Sequence, residues 1–310
     1  MQLLSGLENL LPEKTWITIG TFDGIHLGHQ ALIRQMSDEA HSSGQKSVVV
    51  TFHPHPAVVL GKRPNNINIS TPVERAGYLE ALGVDFLFDQ LFDNNLASTS
   101  AYEYVRDLKI LLNFTQLWVG HDFALGRNRE GNVTELQNLG KVFGFKVRLV
   151  DPITFEGHVI SSSLIRKLLW AGEVSDAQEL LGRPFQLTGK VIHGDQRGRT
   201  IGFPTANLET PAEKIIPASG VYACRVAVKK NKYLAATNIG IRPTFDGKDE
   251  AIHVESHIIN YADDLYGEML TLEFWEQLRR EKRFESIDAL VMQIHDDIEQ
   301  TKLLFQRKEK

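Results

Sequence analysis

The pattern of apolar and polar positions changes near residue 183 of the chain. Before that point, short apolar runs rich in branched residues alternate with segments whose apolar positions recur at helical spacing. Buried parallel strands are apolar on both faces, and crossover helices separate them. The pattern predicts strands at 16–20, 46–52, 84–88, 116–119 and 146–150, with helices at 27–43, 72–82, 101–112, 133–143, 163–170 and 174–181. We therefore expect an α/β domain with a five-stranded parallel sheet.

After Gly182-Arg183-Pro184 the strand signals follow one another without helices between them. The predicted strands are 185–192, 220–228, 233–239, 252–259 and 269–274, and successive short strands of this kind favour a small antiparallel barrel. The tail, 286–305, carries apolar residues at helical spacing and is predicted to be one amphipathic helix packed on the core. The predicted class is α/β plus all-β, with domains at 1–183 and 184–310.

Composition narrows the class of protein. A hydrophobic fraction of 42% and a net charge of −5 fit a folded globular chain without the basic excess of a nucleic-acid or membrane-surface binder. Cys224 is the one cysteine, so a disulfide within the chain is excluded and the thiol is expected to be buried. The chain lacks an apolar run of membrane-spanning length, and no Lys or Arg precedes Lys14. A cytoplasmic location is the expectation.

A glycine- and histidine-rich segment, 20–29, lies between the first predicted strand and the first predicted helix. His26 and His29 are three residues apart and share one helical face. Glycines allow a ligand close to the backbone, and a helix N-terminus attracts phosphate. The alternative is a glycine turn with two surface histidines. The segment is predicted to bind nucleotide phosphate through Gly20, Phe22, Asp23, Gly24, Gly28 and the two histidines.

A second segment, 160–166, reads Ile-Ser-Ser-Ser-Leu-Ile-Arg. Three hydroxyls at a helix start can cap free N–H groups or bind phosphate, and an arginine one turn later can clamp phosphates. The segment resembles the I-S-S-T-x-I-R motif of the nucleotidyltransferase superfamily. Residues 26–29 resemble the H-x-G-H signature of the same superfamily. The resemblance implies a Rossmann-like domain in which Ser161, Ser162 and Ser163 bind phosphate and Arg166 is catalytic with His26 and His29.

Two further stretches indicate which family within this superfamily the chain resembles. Residues 51–56 read Thr-Phe-His-Pro-His-Pro, and residues 119–126 read Val-Gly-His-Asp-Phe-Ala-Leu-Gly. They are similar to the adenylyltransferase module of the bacterial bifunctional riboflavin kinase/FMN adenylyltransferases, also called FAD synthetases. The resemblance implies flavin contacts by Asp122 and Phe123. Ala124 and Leu125 depart from that family, which often has Arg and Phe there.

The segment 194–208, Gly-Asp-Gln-Arg-Gly-Arg-Thr-Ile-Gly-Phe-Pro-Thr-Ala-Asn-Leu, resembles the riboflavin kinase fingerprint. Glycines at 194, 198 and 202 suit a flap of backbone N–H groups over phosphates, ending at Pro204. Thr205 and Asn207 are two residues apart, so an extended segment places both on one side. Hydroxyl and amide oxygens are hard donors, and the pair is predicted to hold Mg²⁺ beside ATP.

Spacing of two also places His253, Glu255 and His257 on one strand face. A metal site and a solvated polar face are the alternatives, while the family resemblance favours Glu255 as general base for a substrate hydroxyl. Further segments that resemble the riboflavin kinase family follow in the same order, at 220–223, 237–245, 254–258, 264–267 and 278–284. The resemblance implies flavin contacts by Asn238, Arg280 and Phe284.

The resemblance, which covers nearly the whole chain, implies two reactions. Riboflavin and ATP would give FMN, and FMN with a second ATP would give FAD and pyrophosphate. The expected ligands are riboflavin, FMN, ATP and Mg²⁺, with no nucleic-acid or membrane partner. The alternatives are a riboflavin kinase with a degenerate adenylyltransferase domain and a non-catalytic flavin-binding protein.

Overall fold

The computed structural model describes residues 1–4, 11, 13–194, 197–228, 231–243 and 250–308. The chain forms two compact units, which we call unit 1 (Met1–Ser162) and unit 2 (Ser163–Lys310). This division falls earlier than the predicted one, because the helix Val174–Leu181 contacts strands of unit 2. The domain boundary at 183/184 stays a prediction.

Unit 1 contains a parallel sheet with helical crossovers. In chain order its elements are β1 (Gln2–Leu4), β2 (Thr15–Ile19), α1 (Leu27–Ser42), β3 (Lys46–His53), α2 (Pro56–Val59), α3 (Pro72–Ala81), β4 (Phe86–Leu91), α4 (Asn94–Ser98), α5 (Ala101–Leu112), β5 (Phe114–Gly120), β6 (Ala124–Leu125), a 3₁₀ turn (Arg127–Arg129), β7 (Gly131–Asn132), α6 (Val133–Phe143), β8 (Lys146–Val150), β9 (Thr154–Phe155) and β10 (His158–Val159).

The order of the main sheet is β1-β4-β3-β2-β5-β8, and neighbouring strands are parallel throughout. Among the residues described it has six strands, one more than predicted, because the short β1 adds to the edge beside β4. The chain runs outward from β2 through β3 to β4 and then returns to β5 on the other side of β2. Ligands of such sheets bind where this direction reverses, beyond the carboxyl ends of β2 and β5.

Local sequence explains where the crossover helices begin. Thr71 and Ser100 each cap a helix in a capping box, with Glu74 and Glu103 three residues later bonding back to the cap backbone. The apolar strand interior is buried on both faces, as the uninterrupted run Val48–Val50 predicts. The α/β prediction for this part of the chain is confirmed.

Unit 2 is built around antiparallel strands. Its elements are α7 (Ser162–Ala171, whose first residue belongs to unit 1), α8 (Val174–Leu181), β11 (Phe185–Ile192), α9 (Arg197–Thr200), β12 (Ala206–Glu209), β13 (Gly220–Val228), β14 (Asn231–Pro243), β15 (Glu250–Ile258), β16 (Met269–Arg280) and α10 (Ile287–Lys308).

The strands close into a barrel in the order β11-β12-β15-β14-β13-β16, with β16 returning to β11. Alternate positions fill the interior, among them Leu187, Leu272 and Phe274. Cys224 lies there too, and burial raises the pKa of its thiol to about 12. The predicted barrel and terminal helix are confirmed. Ile287 is 67% exposed, so the core packing expected of the tail does not include the first residue of α10.

Candidate active sites

The loop between β2 and α1 has a backbone that ordinary residues seldom adopt. Phe22, Gly24 and Ile25 all have positive φ, at 44°, 80° and 39°. A β-branched residue such as Ile25 is strained in this region, and strain of this kind concentrates at functional loops. A Cβ at Gly24 would lie 2.8 Å from the Ile69 side chain, so close packing also requires glycine there.

Asp23 connects this loop to the segment 69–70 through hydrogen bonds. Its carboxylate accepts the backbone N–H groups of Ile69 and Ser70, both at 3.0 Å, and the side chain is buried. The Ser70 hydroxyl in turn accepts the N–H of Gly24 at 2.9 Å. Asp23 is among the residues predicted to bind phosphate; its carboxylate bonds to the backbone of segment 69–70, and its part in phosphate binding stays a prediction.

His26 and His29 lie together at the start of α1. Their rings stack with centroids 3.6 Å apart, and His26 Nδ1 caps the helix by accepting the His29 N–H at 3.3 Å. His29 Nδ1 is out of solvent contact and has no hydrogen-bond partner among the residues described. Burial, reinforced by His26, holds the pKa of His29 well below its usual range. His29 is therefore a neutral imidazole near pH 7.

Two of the predicted glycines make room for these aromatic rings. A Cβ at Gly28 would lie 3.2 Å from the His26 ring, and one at Gly20 would lie 3.0 Å from the ring of Phe22. The Phe22 ring meets His29 edge-on, with centroids 5.1 Å apart. The absence of a side chain at both glycines thus leaves room for the rings of Phe22 and His26.

The serine-rich segment 160–166 contacts the same loop. The Ser162 hydroxyl donates to the Asp23 carbonyl at 2.8 Å, which ties the start of α7 to the loop after β2. Ser161 is half-buried and Ser163 is exposed. Arg166 follows Ser162 by about one helical turn and is 3% exposed.

Arg75, on α3, connects the carboxyl ends of two central strands. Its guanidinium donates to the carbonyls of Thr21 and Phe52, at 3.2 and 3.4 Å, and lies 3.5 Å from the Asp89 carboxylate. The side chain is buried. Sequence analysis missed it, because an arginine in an amphipathic helix normally indicates a solvated face.

The loop after β5 lies at the other side of the switch point. Asp122 is exposed, and Arg129 donates to its carbonyl at 2.9 Å. Phe123 packs partly against the core of unit 1, and Leu125 belongs to that core at 8% exposure. Leu125 thus fills a core position with an apolar side chain, as the Phe that the family often has there would also do.

Unit 2 brings together predicted residues from three different strands. Asn207 on β12 is directly opposite Glu255 on β15, and Glu255 is directly opposite Asn238 on β14. Residues paired across an antiparallel ladder project to the same face of the sheet. Their neighbours Val254 and Ser256 are buried, whereas the three polar side chains are half-buried. The structure thus forms a row of amide, carboxylate and amide, which we call the polar row.

The flap that precedes β12 is packed against this row. A Cβ at Gly194 would collide with the Asn207 amide, and Gly202 has a φ of +90°. His257 Nδ1 lies 2.9 Å from the carbonyl of Pro204, just before Thr205. Asp195 and Gln196 of the fingerprint lie outside the described residues, as do Thr244 and Phe245 of the block at 237–245.

His257 therefore contacts the flap backbone. In the part of the chain that the structure describes, no group of three or more His, Cys, Asp or Glu residues is arranged to hold a metal.

The predicted flavin-contacting residues at the end of β16 lie next to a buried ion pair. Arg279 bonds to the Asp297 carboxylate through Nε and Nη2, both at 2.9 Å, and its guanidinium lies over the Phe284 ring. Asp297 is 3% exposed, whereas Arg280 projects into solvent. The ion pair thus holds Arg279 while its guanidinium contacts Phe284, and sequence analysis assigned a role to neither partner.

A strained His-Gly loop at the switch point of a parallel sheet and a glycine flap beside a polar row define a nucleotide-dependent transferase. A family model described as FAD synthetase matches residues 9–164, and one described as riboflavin kinase matches residues 181–305. The chain belongs to the bifunctional riboflavin kinase/FMN adenylyltransferase family.

Curated relatives with that name resemble the chain over nearly its full length. The protein of Pseudomonas fluorescens is 38% identical over 303 residues, covering 96% of each chain. The protein of Listeria monocytogenes is 35% identical over 294 residues, covering 94% of this chain and 93% of its own. The protein of Escherichia coli K12 is 36% identical over 302 residues, covering 96% of each. The similarity therefore spans both units.

A solved structure shares the fold. It is described as a macrolide-efflux protein from Streptococcus pneumoniae, with a TM-score of 0.89, 33% identity and coverage of 97% of this chain and 98% of that one. That description belongs to the neighbour. None of the helices described here is long and apolar enough to cross a membrane.

Proposed function

We propose that the barrel of unit 2 phosphorylates riboflavin and that unit 1 then adenylylates the FMN formed. In the first reaction the 5′-hydroxyl of riboflavin attacks the γ-phosphorus of ATP. The bond between that phosphorus and the bridging oxygen breaks, ADP leaves, and the hydroxyl proton is released. The polar row is the single observation that carries this proposal most directly.

In the polar row, Glu255 is the proposed catalytic base. A carboxylate between two amides can orient the riboflavin hydroxyl and accept its proton late in a loose transition state. Asn238 lies on one side of Glu255 and is proposed to contact the flavin, together with Arg280 and Phe284. Asn207 lies on the other side and faces the nucleotide.

The residues around Asn207 fit a magnesium ion. Thr205 and Asn207 supply a hydroxyl and an amide oxygen, the hard donors that Mg²⁺ prefers. The absence of a side chain at Gly194 leaves room for the Asn207 amide. When bound, Mg²⁺ would neutralise charge on the phosphates of ATP. Gly194, Gly198, Gly202 and Pro204 are proposed to cover those phosphates.

Unit 1 is proposed to transfer the adenylyl group. A phosphate oxygen of FMN attacks the α-phosphorus of ATP, the α–β bridging bond breaks, and pyrophosphate leaves. No covalent enzyme intermediate is required. The site proposed is the strained loop after β2 with the loop Asp122–Phe123 after β5, at the sheet's switch point.

The two histidines have the environment that this transfer needs. A neutral His29 can donate one N–H to a phosphoryl oxygen, and His26 lies against it at the N-terminus of α1, where N–H groups and the helix dipole favour phosphate. Ser161, Ser162 and Ser163 at the start of α7 are proposed to bind phosphate, and Arg166 to stabilise the charge that develops.

The function is tested by incubating the protein with riboflavin, ATP and Mg²⁺ and separating the flavins by chromatography. We expect FMN and then FAD, and supplied FMN should give FAD without riboflavin. Accumulation of FMN alone would favour the alternative of a kinase with a degenerate adenylyltransferase domain. Absence of both products would contradict the proposal. Because both reactions consume ATP, we propose that the enzyme works in the cytoplasm.

A further inference from the structure

The backbone carbonyl of Thr21 is held by two buried side chains. The Arg75 guanidinium, on α3, donates to it at 3.2 Å, and the Thr51 hydroxyl, on β3, donates to it at 3.1 Å. Arg75 is 4% exposed and Thr51 is fully buried. Thr21 immediately precedes the strained stretch 22–25, so both bonds act at the point where the loop after β2 begins.

The Arg75 guanidinium does more than fill space between α3 and the sheet. Besides Thr21, it bonds to the Phe52 carbonyl on β3 and lies 3.5 Å from the Asp89 carboxylate on β4. A planar guanidinium can donate in several directions at once, whereas a lysine ammonium donates from one point. Burying a charge costs free energy that an apolar side chain would not, which indicates a role beyond packing.

The peptide bond between Thr21 and Phe22 transmits these bonds to the site. It is trans, so the Thr21 carbonyl and the Phe22 N–H point in opposite directions. A carbonyl held toward Arg75 and Thr51 therefore turns the Phe22 N–H to the other side. Phe22 has a φ of 44°, and a backbone of this kind persists only where its surroundings hold it.

The ring of Phe22 carries the effect to a histidine. It lies edge-on to His29, with ring centroids 5.1 Å apart, and Phe22 itself is 4% exposed. A rotation of the peptide bond before Phe22 would displace both the N–H and the ring of a residue predicted to bind phosphate. The roles proposed above assign neither Arg75 nor Thr51 a part in the reaction.

We propose that Arg75 and Thr51 are positioning residues for adenylyl transfer, which act by holding the Thr21 carbonyl and, through Phe22, the place of His29. The proposal rests on the proposed adenylylation by unit 1. Both side chains act through the loop and not on the substrate. Loosening the loop therefore weakens the stabilisation of the transition state more than the binding of ATP or FMN.

The first test is Thr51→Val, which replaces the hydroxyl by a methyl group of similar size. The assay follows conversion of supplied FMN and ATP to FAD by chromatography. We expect kcat to fall roughly 3- to 10-fold, the value of one hydrogen bond, with both KM values within about twofold of the wild type. Phosphorylation of riboflavin by the same chain should not change.

Thr15→Val is the matched control. Thr15 is equally buried and donates to one backbone carbonyl, that of Leu112 at 2.7 Å, but it lies at the first residue of β2, away from the loop. Both substitutions remove one buried hydrogen bond and should lower the melting temperature by similar amounts. Only Thr51→Val should lower kcat for adenylylation.

The second test compares Arg75→Met with Arg75→Lys, each measured below its melting temperature. We expect Arg75→Met to lower kcat for adenylylation at least about tenfold, because a small displacement of reacting groups is costly. Arg75→Lys should restore part of that loss, since an ammonium can hold one carbonyl at a time. Leu108→Ala, at a core position of α5 that is 3% exposed, should lower the melting temperature and leave kcat unchanged.

Three results would overturn the inference. The first is an unchanged kcat in Thr51→Val, which decides the matter even where an Arg75 variant fails to fold. The second is a rise in the KM for ATP or FMN at unchanged kcat, which would mean that these side chains act in ground-state binding. The third is an equal loss of kcat in each variant and its control, Thr15→Val or Leu108→Ala, which would mean that lost stability alone is responsible.

The wild-type protein separates this inference from the function on which it rests. Failure of the wild type to convert FMN to FAD would reject the proposed adenylylation and the inference with it. Wild-type adenylylation that Thr51→Val and the Arg75 variants leave unchanged would reject the inference alone.

Discussion

At the scale of single residues, His29 shows how position sets chemistry. The imidazole is held neutral because burial disfavours its charged form and a second imidazole lies against it. In the unfolded chain the same group takes up a proton near its usual pKa of about 6.5. A neutral histidine in the folded state therefore makes stability depend on pH in a defined direction.

Stability from His29 is present above about pH 6.5 and is lost as the pH falls toward the lower folded-state pKa, because only the unfolded chain binds the proton in that interval. We expect the melting temperature of the wild type to fall more steeply between about pH 7.5 and 5.5 than that of His29→Gln. Exposed His158 provides the control, since His158→Gln should follow the wild type. Parallel wild-type and His29→Gln curves would contradict the burial argument.

Comparing Gly24 with Gly44 separates the cost of a side chain at positive φ from the cost of a steric clash. Both have positive φ, but a Cβ at Gly44 meets nothing within 4 Å, whereas one at Gly24 meets Ile69. We expect Gly44→Ala to cost about 1 kcal/mol and to keep both activities. Gly24→Ala should cost about 2–3 kcal/mol and reduce FMN adenylylation at least about tenfold, with kinase activity retained. Chemical unfolding and the two assays measure these effects, and equal costs for the two variants would contradict the role of Ile69.

Sequence reasoning picks out the candidate site residues, but not the long-range bonds that hold them in place. His26, His29 and Glu255 stand out because their residue types and spacing differ from an ordinary strand or helix. The bonds of Asp23 to Ile69 and Ser70 could not be predicted, because they join positions far apart in sequence. Arg75 was missed for the same reason, since long-range partners leave no local pattern.

At the scale of elements, local signals explain which predictions succeed. The helices α3 and α5 begin at capping boxes and match the predicted bounds within a residue. The short strands β1 and β12 were missed, because strands of three or four residues have no measurable period and depend on pairing with β4, β11 and β15. β16 extends beyond its predicted end, since residues 275–280 include polar side chains that hide the alternation.

The join between β16 and α10 depends on the ion pair Arg279–Asp297. Asp297→Ala would leave a guanidinium of 18% exposure without its carboxylate, so we expect a loss of about 3 kcal/mol in the free energy of unfolding. Because Arg279 also lies over Phe284, the KM for riboflavin should rise several-fold while that for ATP does not. Asp296→Ala, at the exposed neighbour, should change stability by less than about 0.5 kcal/mol. An unchanged KM for riboflavin would contradict a role of the pair in flavin binding.

At the scale of the whole molecule, the two proposed reactions use separate residues. Glu255 and the polar row belong to unit 2, and His26 and His29 belong to unit 1. Glu255→Ala should abolish riboflavin phosphorylation and spare adenylylation of supplied FMN, whereas His29→Ala should stop the pathway at FMN.

A mixture of the two variants should restore synthesis of FAD from riboflavin, since FMN made by His29→Ala is the substrate that Glu255→Ala still uses. The measurement is the appearance of FAD by chromatography, with each variant alone as the control. A mixture that accumulates FMN without FAD would show that Glu255→Ala had also lost adenylylation, contrary to the separation of the sites.

The closure of β16 on β11 has a consequence for how the protein is made. A ribosome delivers β11 roughly eighty residues before β16, so the barrel cannot close until synthesis is almost complete. Until then the nascent chain carries unpaired strand edges and exposed apolar positions such as Leu187. The main sheet of unit 1, by contrast, is fully synthesised by Val150 and can fold while the rest of the chain is still emerging.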